Sequence, residues 1–291
     1  MTAPAAPRID AHQHFWRYDP AEYAWIDDAM AGLRRDYLPD VAAREMTDAG
    51  VDACVAVQAR QTLEETGWLL ALADAHRAIA GVVGWVDLQS PDAQQQLEHV
   101  ADHPKLVGLR HIVQSEPDDR FMLRPEFCRG IALLERFGLA YDILVYSRHL
   151  AAATELASRF AGQRFVLDHL GKPNIRHGEL RVWERDIRAL STCANVSAKL
   201  SGLVTEADWT GWTAQDIRPY LDVAFDCFGA DRLMIGSDWP VCTVASNYAR
   251  VMAVVTDYLA DRPLQERDAV LGGTAQRFYN LKVTTAAGSM R

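Results

Sequence analysis

The chain is poor in basic residues, in cysteine and in long apolar runs. Lysine and arginine number 30 against 39 acidic residues, a formal net charge of −9. That balance argues against nucleic acid as a partner, which needs a basic footprint; otherwise it speaks only for solubility. No apolar stretch approaches the length of a membrane span, so no membrane partner is expected. The first residues, Met1 to Pro7, lack the basic start and apolar centre of a secretory signal, and a cytoplasmic protein is expected. The five cysteines (Cys54, Cys128, Cys193, Cys227, Cys242) are odd in number and scattered, with no Cys-x-x-Cys. They read as reduced structural thiols. No Gly-x-Gly-x-x-Gly turn follows an apolar run, and no organic cofactor is expected.

What is present is a rhythm. Short apolar runs recur near Arg8–His12, Val51–Gln58, Gly81–Val86, Leu106–Arg110, Ala140–Val145, Arg164–His169, Asn195–Lys199 and Arg232–Ser237. Runs of this kind suit parallel strands covered on both faces. Between them, proline starts and glycine stops frame helices at Asp40–Ala49 and Glu126–Phe137, and Gly162 ends one at Arg148–Ala161. Further helices are expected at Glu64–Arg77, Pro91–Ala101, Glu179–Cys193, Ala214–Phe228, Ser246–Ala260 and Leu264–Phe278. Eight strand–helix units without a break in composition predict an α/β protein, a single distorted (β/α)8 barrel over residues 1–281, with a disordered tail at 282–291.

The chemistry gathers at the ends of those runs. Asp10-Ala11-His12-Gln13-His14 puts two imidazoles two residues apart, hence on one face of a strand. Other runs end in Arg110-His111, Asp168-His169, Lys199 and Ser237-Asp238. In a barrel all of these converge on one mouth, where active sites sit. Two long connections, from Phe15 to Leu38 and from Ile112 to Arg124, carry Trp16, Tyr23, Trp25 and Phe121 and read as covers for that mouth. Asp168 alternates with His169 and is expected to point outward, behind the site.

His-x-His on the first strand, His169 on the sixth and Asp238 on the eighth together resemble the amidohydrolase superfamily, and the resemblance spans nearly the whole chain. His-Gln-His-Phe-Trp, Gly-Leu-Arg-His, Leu-Asp-His-Leu-Gly-Lys-Pro and Gly-Ser-Asp-Trp-Pro are similar to the branch of sugar-lactone hydrolases and 2-pyrone-4,6-dicarboxylate lactonases, and within it to the L-fucono- and L-rhamnono-lactonase types. That resemblance implies hydrolysis of a small cyclic ester, with a sugar lactone as the small-molecule partner. It also implies one divalent cation, zinc foremost, on His12, His14 and Asp238, which some members of the branch dispense with. Two departures argue against a binuclear centre: the fourth strand ends in Arg110-His111 where a bridging lysine belongs, and the fifth, Tyr141-Asp142-Ile143-Leu144-Val145, has no histidine.

On this reading Asp238 is the base that deprotonates water and returns the proton to the ring oxygen, while His12, His14 and His169 polarise the carbonyl or orient water. Trp25 is expected to stack on the ring, with Tyr146 as a second aromatic. Arg110, His111 and Lys199 are expected to hold substrate oxygens; for Arg110 an ion pair with Asp142, and for Lys199 an internal salt bridge, are the alternatives. Rival readings are a pyrone-dicarboxylate lactonase, which should want more arginines at the mouth, a metal-dependent non-oxidative decarboxylase of the same superfamily, and a non-catalytic binding barrel.

Overall fold

The structure, a computed structural model, describes residues 6–283. Eight parallel strands follow one another round a single sheet: β1 (Ile9–Gln13), β2 (Ala53–Val57), β3 (Ile79–Gly84), β4 (Leu106–Ile112), β5 (Ala140–Leu144), β6 (Phe165–Leu167), β7 (Val196–Leu200) and β8 (Leu233–Ile235). Helices α1 (Pro39–Asp48), α2 (Leu63–Ala75), α3 (Ala93–Val100), α4 (Pro125–Phe137), α5 (Leu150–Arg159), α6 (Arg181–Ser191), α7 (Ala214–Phe228) and α8 (Tyr248–Tyr258) pack outside it, and α9 (Leu264–Asp268) and α10 (Thr274–Tyr279) end the chain. This is the expected (β/α)8 barrel. The punctuation works as its chemistry requires. Pro39 and Pro125 open α1 and α4, Gly138 closes α4 in the left-handed region, and the Thr62 and Asn247 side chains accept the orphan amides of Glu65 and Arg250. Among the described residues no helix is long and apolar enough to cross a membrane.

The expected helix Leu264–Phe278 is broken. Residues Ala269–Gly273 form a wide turn between α9 and α10, and a Cβ on Gly272 would lie 1.9 Å from the Pro7 carbonyl oxygen. The break lets the last helix turn under the barrel, where Ala275, Tyr279 and Leu281 plug its floor against Ile9, Val55, Val83, Val107 and Val166. Val283, inside the expected tail, still packs on this floor; residues 284–291 lie outside the described residues. A second, larger core fills the layer between the sheet and the helices.

The barrel closes between its first and last strands. Asp238 N donates to His12 O at 2.9 Å and His14 N to Trp239 O at 2.7 Å. Beneath them the buried Asp10 carboxylate accepts from the amides of Ser237 (2.8 Å) and His12 (3.1 Å) and from the Tyr248 hydroxyl (3.0 Å). A side chain thus ties β1 to the segment after β8 and to α8.

Candidate active site

The register of β1 against β2 slips between Asp10 and Gln13. Such a bulge re-aims side chains. Asp10 therefore faces α8, while His12 and His14 both face the mouth, their Nε2 atoms 3.2 Å apart. Strand β6 stops at Leu167, and His169, Leu170, Gly171 and Lys172 follow with φ of 54°, 51°, 69° and 50°. Asp238 after β8 is also left-handed, at 59°. Non-glycine residues pay roughly 1–2 kcal/mol each for this region, and such strain concentrates at functional sites. Here it turns His169 and Asp238 into the mouth directly above the strand ends.

The result is a compact centre. Asp238 Oδ1 lies 3.3 Å from His14 Nε2, 3.7 Å from His12 Nε2 and 3.8 Å from His169 Nε2. Each imidazole is anchored from behind: His14 Nδ1 donates to Val57 O (2.8 Å), His169 Nδ1 meets Ser201 Oγ (2.9 Å), and His12 Nδ1 sits 3.3 Å from Asp168 Oδ1 and 3.2 Å from Lys199 Nζ. Burial would raise the Asp238 carboxyl, but His169, His14 and His12 around it hold it well below the usual carboxylate range. Burial pushes His169 down to about 4 and His12 well below its usual value. At neutral pH His12 and His169 are therefore neutral imidazoles beside an ionised Asp238.

His12, His14 and Asp238 also have the residue types and placement that a metal site demands: imidazole and carboxylate donors, buried and converging, with polar contacts behind both imidazoles. A second convergent group, His12, Asp168 and His169, is less suited, because the Lys199 ammonium already lies 2.9 Å from Asp168 Oδ1.

Above the centre opens a cavity of about 190 Å³, bounded by His14, Arg110, His169 and Asp238 on its floor and by Trp16 and Trp25 on one wall. It is the right size for one small ring.

Comparison with known proteins decides the family. The family model described as amidohydrolase matches residues 9–281. The chain belongs to the amidohydrolase family. An L-fucono-1,5-lactonase of Burkholderia multivorans is 45% identical over 289 residues, covering 95% of this chain and 97% of its own. A second L-fucono-1,5-lactonase, of Burkholderia ambifaria, is 37% identical, with 94% and 96% covered. The solved structure of a B. multivorans amidohydrolase with bound zinc superposes with a TM-score of 0.91 at 44% identity, covering 95% of this chain and all of that one. A 5-carboxyvanillate decarboxylase of Sphingomonas paucimobilis (16% identity, TM-score 0.65, 96% of this chain and all of that one) shares the fold.

In this amidohydrolase the remaining sequence-predicted residues do not all reach the cavity. Lys199 is fully buried beneath it and bonds Asp142 and Asp168, so its internal ion pair, not a substrate contact, is what its position supports. Arg110 lines the cavity and pairs with Asp168 at 3.0 Å rather than with Asp142; its other nitrogen bonds Gln58 O. His111 stacks on Phe121 with ring centroids 4.9 Å apart and bonds Glu116 at 2.9 Å, outside the cavity lining. Tyr146 lines a neighbouring cavity instead. Trp25 is on the wall, 40% exposed, with its ring edge-on to Trp16. Asp168 corrects the alternation argument: it continues the inward face of Val166, and the left-handed step brings the next residue, His169, inward too. Burial opposes its ionisation, but Lys199, His12 and Arg110 hold it well below the usual carboxylate range.

Two residues of the site carried no individual signal. Glu65, at the start of α2, is buried and accepts the amides of Ala59 (3.0 Å) and Arg60 (2.7 Å), shaping the rim where Ala59 meets the cavity. Lys172 lines the cavity; the Gly-Lys-Pro motif contains it but does not say which way it points.

Proposed function

We propose that this amidohydrolase opens a small sugar lactone to its sugar acid, with L-fucono-1,5-lactone the first candidate substrate. The observation that carries this reading is the ionised Asp238 carboxylate within 3.8 Å of three imidazoles on the floor of a cavity sized for one ring, and the names of the nearly full-length relatives support it.

Asp238 takes a proton from water as the water oxygen attacks the lactone carbonyl. The tetrahedral oxyanion faces Arg110, and also His169, whose Nε2 carries the hydrogen when Ser201 donates to Nδ1. The bond from carbonyl carbon to ring oxygen then breaks, and Asp238 returns its proton to that oxygen, leaving a hydroxy acid. The neutral His14 tautomer that donates from Nδ1 to Val57 O turns an Nε2 lone pair toward the centre, so in that form it suits a cation rather than a bond to Asp238. A divalent cation bound by His12, His14 and Asp238 would polarise the carbonyl or its attacking water. Trp25 and Trp16 cover the ring and exclude bulk water.

Both cationic groups lining the cavity already have a counter-charge beside them, Asp168 bonded to Arg110 at 3.0 Å and Glu206 standing 3.5 Å from Lys172. A neutral sugar lactone suits this wall better than a dicarboxylated pyrone.

The test is a panel of aldono-lactones assayed with a pH indicator, with and without chelator. The protein should release acid from at least one of them. Asp238→Asn should cut turnover about 10²–10⁴-fold while leaving the thermal midpoint near that of the parent. Near-parental turnover in Asp238→Asn would show that another group activates the water.

A further inference from the structure

The left-handed turn after β6 presents two residues, not one. His169 and Lys172 stand one turn apart, and the Lys172 amide bonds the His169 carbonyl at 2.9 Å. The turn is pinned at three carbonyls by two side chains: Trp183 Nε1 donates to Leu170 O (2.7 Å), and Ser147 Oγ reaches both Gly171 O and Lys172 O (3.1 Å each). Holding three non-glycine residues of this turn, His169, Leu170 and Lys172, in a disfavoured region only to aim His169 is extravagant, because one such residue would reverse its direction.

Lys172 is also the one residue that lines both the main cavity and a second of about 300 Å³, formed with Tyr146, Ser147, Arg148, Asn174 and Glu206. Its ammonium lies 5.5 Å from the centre of the Tyr146 ring and 3.5 Å from Glu206 Oε1. Both charged side chains are mostly buried, at 18% and 20% exposure. Arg148, the other cation of the second cavity, is already held by Asp119 (2.9 Å) and Gln114 O (3.2 Å). The Lys172–Glu206 separation exceeds that of a tight charge-assisted bond, about 2.7–2.9 Å, so the pair is open. An open donor–acceptor pair at a seam matches a neutral group whose single oxygen both gives and accepts a hydrogen bond, as a hydroxyl does.

We propose that Lys172 and Glu206 together are a specificity-determining pair that reads one hydroxyl of the substrate ring, Lys172 donating to its oxygen and Glu206 accepting its hydrogen. This rests on the sugar-lactone reading for the identity of the ring, but not on the hydrolytic step. A site built around a substrate hydroxyl rejects the analogue that lacks it, because buried polar groups are then left unpaired.

The probe is therefore 1,5-anhydro-L-fucitol, which keeps the ring hydroxyls and has no carbonyl to hydrolyse, together with its monodeoxy derivatives, each titrated by calorimetry into the full chain. The parent protein should bind the anhydrosugar. Lys172→Met and Glu206→Met should each weaken it about tenfold or more, as loss of a hydrogen bond to a charged group does. One monodeoxy probe should bind the parent as weakly as the full probe binds the variants, and should bind all three proteins within about threefold, since the interaction is then already gone. With lactones as substrates, the same variants should raise KM more than they lower kcat. Unchanged affinity in both variants, equal weakening of every probe, or no binding of the anhydrosugar by the parent would overturn the proposal. Binding without turnover of any lactone would instead remove the hydrolytic reading and leave the pair standing.

Discussion

At the scale of the residue, burial sets the chemistry, and Glu65 at the rim of the cavity shows it. Burial lifts its carboxyl from 4.5 to about 7, against the amides of Arg60 and Ala59 and the charge of Arg60. Between those two values the folded chain keeps a proton that the unfolded chain has released. The stability contributed by this group is thus greatest at the acid end and falls as pH rises through the window, by about 3 kcal/mol in all. Glu65→Gln removes that slope. Its stability relative to the parent, from chemical denaturation, should climb between pH 5 and pH 8; a constant difference would mean that the carboxyl titrates normally in place. The same scale shows what could be read beforehand. His12, His14, His169 and Asp238 were legible because their residue types and spacings are rare together. The inward turn of Asp168 beside His169 was not: it depends on positive φ at non-glycine residues, which a sequence does not display. Lys199 was legible as a charge at a strand end, but its depth was not, since Asp142 and Asp168, which neutralise it, come from two other strands.

At the scale of the element, strands and helices follow local rules closely enough that their existence was readable and only their ends shifted. Strands β6 and β8 are shorter than expected because the chain leaves each for a left-handed step at the site. The helix expected over Leu264–Phe278 failed for a tertiary reason, the close approach of Pro7 to Gly272. Helix α4 offers a test in which local and tertiary rules oppose each other. Alanine is a better helix former than glycine by about 1 kcal/mol. A Cβ at position 130, however, would lie 2.3 Å from Leu88 O and 2.8 Å from Leu88 Cα, and these are backbone atoms that cannot swing aside. Overpacking of this kind costs about 1–3 kcal/mol. Gly130→Ala should therefore lower the thermal midpoint; a rise would mean that α4 slides off the segment at Leu88 without cost.

At the scale of the whole molecule, the barrel depends on a closure that few hydrogen bonds make. Among the described residues the Tyr248 hydroxyl is the only group from outside the β1 and β8 segments that donates to Asp10. Tyr248→Phe should cost about 1–3 kcal/mol, and hydrogen exchange should accelerate at the amides of Ser237 and His12, which lean on the same carboxylate. Protection unchanged at those amides would place the closure elsewhere. The overall architecture was legible because eight repeats of one unit leave little else to build, whereas the seam was not, since Asp10 looks like any other acidic residue beside a histidine. The seam also fixes an order of events. His14 is made early and Asp238 comes 224 positions later, which at about 5–20 residues per second means about 10–45 s of synthesis. During that interval neither histidine has Asp238 to face and β1 has no partner on one edge. The candidate site is then among the last parts of the molecule to come into being, so a chain cut short anywhere before β8 lacks Asp238 and carries an open sheet edge, which is the form that chaperones and proteases must recognise.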